Sequence, residues 1–202
     1  MRFDSYPDFI SEEERLELIA WIDENVRKGV LKRGLHTSTL KEWNGDTEER
    51  NAPVCTDKRL TTRTNDDEFD FPQIAYDIQQ RIIKDFAFTK NCYIETGGNA
   101  KNDGMIAIVT KPGGKTYKHI DPMHNELHAV RFNVLLQEPE DGGELFIEGV
   151  KYEIKERELH AYMATRYKHW VTEVKGDKSR YIWLFGFHVP KKDWEDFKIK
   201  RR

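Results

Sequence analysis

The chain has 202 residues, of which 34% are charged, yet 33 Lys+Arg stand against 36 Asp+Glu for a net charge of −3. That balance excludes a global field strong enough to draw the protein to nucleic acid or to an anionic membrane. The length suits one domain, 1–202, able to bury a core without covalent staples.

Cys55 and Cys92 are too few and too far apart for a disulfide framework or a zinc knuckle. The opening MRFDSYPDFISEEE is acidic where a signal peptide needs a basic and then an apolar run, and no apolar stretch approaches a membrane span. The expectation is a soluble protein of a reducing cytoplasm with no membrane partner.

The first 103 residues read as two helices and a long polar connection. Ser11 followed by Glu14 forms a capping box, and Leu16, Ile19, Ala20, Ile22 and Val26 continue at helical spacing until Gly29 can end the helix. A second helix starts at Pro72 and carries Ile74, Ala75, Ile78, Ile82, Ile83 and Phe86. Each helix has one apolar face to lay on a sheet. Residues 30–70 are polar, with Asn44, Gly45, Asn51, Pro53 and an acidic run from Asp66 to Asp70, and read as an irregular loop or lid. Within it, KRLTTRT at 58–64 alternates as a strand does.

From residue 104 the period changes to two. Strand-like runs recur at 105–110, 116–120, 129–137, 143–149, 151–154, 159–163, 169–174 and 179–189, separated by turn chemistry at Pro112-Gly113-Gly114, Glu140 to Gly143, Gly149 and Gly176-Asp177. Short antiparallel strands of this kind predict a mainly β fold over 104–189, a jelly roll or double-stranded β-helix of the cupin-like sort, with the N-terminal helices on one outer face. The tail at 190–202, KKDWEDFKIKRR after Pro190, reads as a solvated end.

In KTYKHIDPM, His119 and Asp121 stand two apart at the end of a strand, so alternation sends both side chains to one face. Two ligands on one face can share an ion. A third is needed, because two imidazoles and a carboxylate form the facial triad that holds iron(II) with open positions. Among seven histidines, His169 fits, since it starts the penultimate strand, which in a jelly roll returns beside the second. Arg180 shares a strand face with Ile182, Leu184 and Gly186, and an arginine pointing into such an interior requires an anion, for which a carboxylate is the matched geometry. The remaining histidines read as structural, and Trp170, Trp183, Phe185 and Phe187 as core.

The order HID, then His169, then Arg180, preceded by VTKPGGKTYKH and joined by RFNVLLQEPEDGGELFI, resembles the iron(II)- and 2-oxoglutarate-dependent oxygenases in their prolyl 4-hydroxylase-like branch. The likeness spans 104–189, and YPDFISEEERLELIAWI is similar to that branch's first helix. The resemblance implies that His119, Asp121 and His169 are the iron ligands and that Arg180 binds the distal carboxylate of 2-oxoglutarate. It also implies O₂ as oxidant, ascorbate as a stimulant, and hydroxylation of an amino-acid, peptidyl or other small-molecule substrate with release of succinate and CO₂.

Two positions depart from the family pattern. Thr110 stands where the family commonly has tyrosine, which leaves Tyr117 as a candidate for that hydroxyl, and many prolyl hydroxylases have lysine at the position of Arg180. Arg131 shares a strand face with Asn133 and Leu135 and could either read a substrate carboxylate, with Asn133 beside it, or make a structural ion pair. Ile106, Ile108, Leu135, Ile182 and Leu184 would wall the site against water. Two other readings compete: an oxygenase acting on nucleic acid, which the acidic run and the net charge oppose, and a non-catalytic jelly-roll binding module.

Overall fold

Ser11 caps the first helix, α1 (Glu12–Arg27), reciprocally. Its hydroxyl accepts from the Glu14 N–H at 3.2 Å, and its own N–H donates to Glu14 Oε2 at 2.8 Å. The chain leaves the helix through Gly29 at φ 67°, where a residue without a Cβ turns at no steric cost. The second helix, α2 (Gln73–Asp85), follows Pro72 and buries Ala75, Ile78 and Ile82 along one face. The computed structural model describes residues 4–33, 40–43, 46–48, 55–62, 70–86, 93–94, 104–123 and 126–190. Asn44, Gly45, Asn51, Pro53, the stretch from Asp66 to Phe69, His36, His124, Cys92 and the tail from Lys191 lie outside them.

Before α2 come strands β1 (Asp4–Tyr6), β2 (Lys32–Arg33), β3 (Leu40–Trp43), β4 (Asp46–Glu48) and β5 (Arg59–Thr61). After it come β6 (Tyr93–Ile94), β7 (Met105–Thr110), β8 (Thr116–Ile120), β9 (Leu127–Gln137), β10 (Asp141–Gly142), β11 (Leu145–Ile147) and β12 (Val150–Tyr152). The last four are β13 (Leu159–Met163), β14 (His169–Val171), β15 (Val174–Lys175) and β16 (Arg180–Pro190). They build the two main antiparallel sheets of a jelly roll, with β10 and β15 paired as a separate two-stranded ribbon. The larger runs β1-β13-β9-β16-β7-β5-β2 with β6 on β16, and the smaller runs β12-β11-β14-β8-β3-β4.

The larger sheet is covered on both faces, which is why β7 and β9 are buried almost end to end. Its outer face meets the helices: Val109, Phe132, Val134, Trp183 and Phe185 join Leu18, Ile22, Ile78 and Ile82 in one core. Trp183 is fully buried there, with its ring 5.4 Å from that of Trp21 and 5.2 Å from that of Phe71. The inner face carries Ile106, Ile108, Leu135, Ile182 and Leu184 as a separate apolar cluster, the wall expected from alternation. The register explains the grouping, since Ile182 stands opposite Ile108 and Leu184 opposite Ile106.

Three expectations need correction. The first half of the chain is less irregular than its polarity suggested: β5 lies within the strand expected at 58–64, but β1 and β2 also extend the larger sheet, and β3 and β4 extend the smaller one. These short segments obtain their ladder bonds from the edges of sheets already formed, so a polar sequence suffices. The strand expected over 169–174 is two strands, because the Glu144 N–H bonds the Thr172 hydroxyl at 2.9 Å and interrupts the ladder. Trp170 is not core. It lies half-buried on the outside of the smaller sheet, stacked on Phe146 at 5.0 Å and 6°, with the Lys118 ammonium 5.1 Å from its ring centre.

Candidate metal centre

β8 and β14 pair so that His119 lies directly opposite His169. Paired residues share a face, and here the two rings meet with centroids 4.3 Å apart. Both are anchored alike: Nδ1 of His119 bonds the Tyr117 carbonyl at 2.7 Å, and Nδ1 of His169 bonds the Tyr167 carbonyl at 2.9 Å. A carbonyl only accepts, so both Nδ1 atoms carry a proton, which leaves Nε2 as the atom of each ring free to ligate. Burial, and then the neighbouring His119, push the His169 imidazole down to about 4, which keeps it neutral near pH 7.

Asp121 follows β8, and its N–H donates to the Ala164 carbonyl at 3.0 Å. Its Oδ1 lies 3.2 Å from His119 Nε2 and 3.9 Å from His169 Nε2, and the three ligand atoms fall within 4.8 Å of one another. Donors that each sit about 2.0–2.2 Å from one ion stand roughly 3–4 Å apart, so these three need only small side-chain adjustments to hold a single metal. Two imidazoles and one carboxylate suit a divalent transition ion that keeps open positions.

The other carboxylate oxygen is held separately. Arg131 reaches Asp121 Oδ2 from Nε at 3.2 Å and from Nη2 at 3.1 Å, which leaves Oδ1 directed at the histidines. Of the two roles left open for Arg131, the ion pair is thus made within the site itself. Asn133 is buried on the same inner face, opposite Leu184 on one side and His160 on the other. Tyr117 is half-buried with the Lys115 ammonium 5.3 Å from its ring centre, and its carbonyl is the one that anchors His119.

Arg180 opens β16 opposite Thr110 and is buried. Burial lowers its guanidinium to about 10; Tyr162 opposes that shift and Arg59 adds to it, and no carboxylate of the described residues is among the charges acting on it. Gly143 leaves it room. A Cβ there would stand 3.0 Å from Arg180 Cδ and 2.8 Å from Pro139 Cγ.

No family model and no curated protein matches this sequence. Solved structures do match. A prolyl hydroxylase from Trichoplax adhaerens, in complex with a hypoxia inducible factor peptide fragment, superposes with a TM-score of 0.62 at 14% identity, over 97% of this chain and 87% of that one. The fold is that of the prolyl hydroxylases. A viral collagen prolyl hydroxylase from Paramecium Bursaria Chlorella virus-1, as its 2-oxoglutarate complex, gives a TM-score of 0.58 at 15% identity over 94% and 96% of the two chains. HygX from Streptomyces hygroscopicus, with nickel and 2-oxoglutarate bound, gives 0.53 at 13% identity over 93% and 82%.

On this prolyl hydroxylase fold two inward residues escaped the sequence reading. Tyr162 of β13 pairs with Arg131 of β9 and lies on the same inner face, its ring 5.0 Å from that of His169. Burial and the Asp121 charge raise its hydroxyl pKa well above the usual phenol value, so it stays protonated and can donate a hydrogen bond. Arg59 of β5 pairs with Thr110 from the side opposite Arg180. Alternation in LHAYM and KRLTTRT offered both positions, but which face turned inward depended on pairing to distant strands. Of the other histidines, His160 is buried opposite Asn133, and His128 is buried with Nδ1 2.9 Å from the Thr165 hydroxyl.

Proposed function

We propose that this chain is an iron(II)- and 2-oxoglutarate-dependent oxygenase that hydroxylates an amino-acid, peptidyl or other small-molecule substrate and releases succinate and CO₂. The observation that carries the reading is the convergence of two Nδ1-anchored imidazoles and one oxygen of Asp121. The buried Arg180, with no carboxylate among the described residues acting on it, and the structural neighbours that hold 2-oxoglutarate support it. His119, Asp121 and His169 would hold the metal, which when bound supplies the site for cosubstrate and O₂.

The chain's own residues divide the work. The Tyr117 and Tyr167 carbonyls fix the tautomers of His119 and His169, and Arg131 fixes the orientation of Asp121. Arg180 would take the distal carboxylate of 2-oxoglutarate in a charge-assisted pair. Tyr162 keeps its proton and can donate to an oxygen at the site. Ile106, Ile108, Leu135, Ile182 and Leu184 exclude water from the inner face, which strengthens every charge interaction there. The test is to incubate the protein with iron(II), ascorbate and 2-oxoglutarate and to follow succinate while free amino acids, peptides and oligonucleotides are screened. Stimulation by a small molecule or peptide is the expected result, stimulation by oligonucleotides alone would move the substrate to nucleic acid, and no succinate under any condition would leave a binding module.

A further inference from the structure

We propose that Arg59 is a second cosubstrate residue, gripping the distal carboxylate of 2-oxoglutarate together with Arg180. The inference rests on the reading that the site takes this cosubstrate.

The register places the two arginines. β5 and β16 flank β7, and Arg59 and Arg180 stand directly opposite the same residue, Thr110. Residues directly opposite one another share a face. Two steps along β5, Thr61 is buried opposite Ile108 of the inner wall, whereas Leu60 between them packs on the helix-covered core. Arg59 therefore points inward. At about 4.8 Å per strand the two backbones are roughly 10 Å apart, a gap that two arginine side chains close readily. Their charges act on one another and both act on Tyr162, which puts all three in one region.

Arg59 also lacks something. Its Nη1 is buried with no hydrogen-bond partner among the described residues. A shielded guanidinium N–H without an acceptor is costly, and a second guanidinium on the same face raises the cost. Among the described residues the carboxylate at the metal centre is Asp121, and it is already engaged by Arg131. An incoming carboxylate would answer both arginines, since its two oxygens offer about four acceptor positions. Nη1 is screened from solvent, so its acceptor must itself be buried, which suits a cosubstrate held against Arg180 rather than a prime substrate arriving from outside.

The test is isothermal titration of the zinc-loaded full chain with 2-oxoglutarate and with 2-oxobutyrate, a 2-oxo acid that has no distal carboxylate. Arg59→Met should weaken 2-oxoglutarate at least about tenfold, as loss of a charge-assisted hydrogen bond does, and leave 2-oxobutyrate within about twofold of wild type. Arg59→Lys should recover part of the loss. The melting temperature of ligand-free Arg59→Met should not fall, because the variant removes an unsatisfied group. Wild-type affinity for 2-oxoglutarate in Arg59→Met would overturn the assignment, and equal weakening of both acids would make Arg59 a structural residue. If wild type itself binds no 2-oxoglutarate, the cosubstrate reading falls and the role of Arg59 falls with it.

Discussion

Arg131 holds Asp121 through Oδ2, with Nε at 3.2 Å and Nη2 at 3.1 Å, while Oδ1 of the same carboxylate faces His119 at 3.2 Å. A carboxylate bound this way is fixed in torsion before any ion arrives, so the affinity of the centre depends on a residue that is not a ligand. Arg131→Met should weaken divalent metal binding about 10–100-fold, the usual consequence of losing a group that orients a ligand. Competition against a fluorescent chelator measures it. Arg131→Lys should fall between the two, because a lysine supplies charge but not the two parallel donors. Unchanged metal affinity in Arg131→Met would return this arginine to the role of substrate reader.

The ligands themselves should behave more severely. His119→Ala and His169→Ala each remove one of three donor atoms that lie within 4.8 Å of one another, and both should abolish substrate-stimulated succinate release. Wild type should bind one metal ion per chain. Zinc should inhibit, since it fits the same donors but has no redox chemistry. Full turnover in either variant would remove that histidine from the triad.

Much of this centre was legible in the sequence because its signals are local. Ser11 and Glu14 announce α1, and Ala75, Ile78 and Ile82 repeat at the period that α2 buries. His119 and Asp121 lie two residues apart, so the strand period alone puts them on one face. His169 needed one more assumption, that β14 returns beside β8. Arg59 and Tyr162 were not legible for a different reason: each became an inner-face residue through register with a distant strand, Thr110 for one and Arg131 for the other. A slip of one residue would have turned either outward. β1 was missed likewise, since Asp4, Ser5 and Tyr6 gain their strand from the edge of β13.

Two buried histidines make stability depend on pH. Burial, and then Arg180, lower His160 to about 3, and burial, and then His119, lower His169 to about 4. In the unfolded chain both return to about 6.5. Between these values the unfolded state binds more protons than the native one, so stability is fully present above about pH 6.5 and declines as the pH falls toward the folded values. The urea midpoint of the metal-free protein should therefore fall steadily from pH 7 to pH 4.5. His160→Leu should flatten that slope by up to one proton. An identical slope in the variant would show that His160 is not held neutral by its surroundings.

Gly143 tests whether the position of Arg180 is set by space as well as by charge. Gly143 and Gly149 both have positive φ, 66° and 83°, so alanine at either position meets the same backbone strain, of order 1 kcal/mol. Their surroundings differ. Around Gly149 nothing lies within 4 Å of an added Cβ, whereas at Gly143 it would stand 2.8 Å from Pro139 Cγ and 3.0 Å from Arg180 Cδ. Those distances are too short for carbon contacts, and the arginine chain, being flexible, is the partner that gives way. Gly149→Ala should lower the melting temperature modestly and leave 2-oxoglutarate affinity at the wild-type value. Gly143→Ala should cost more stability and also weaken 2-oxoglutarate several-fold, because charge-assisted pairs lose strength as their donors leave alignment. Calorimetric unfolding and cosubstrate titration of the two variants side by side separate the effects: equal cosubstrate affinity in both would mean that Arg180 reaches its partner regardless of where its chain is packed.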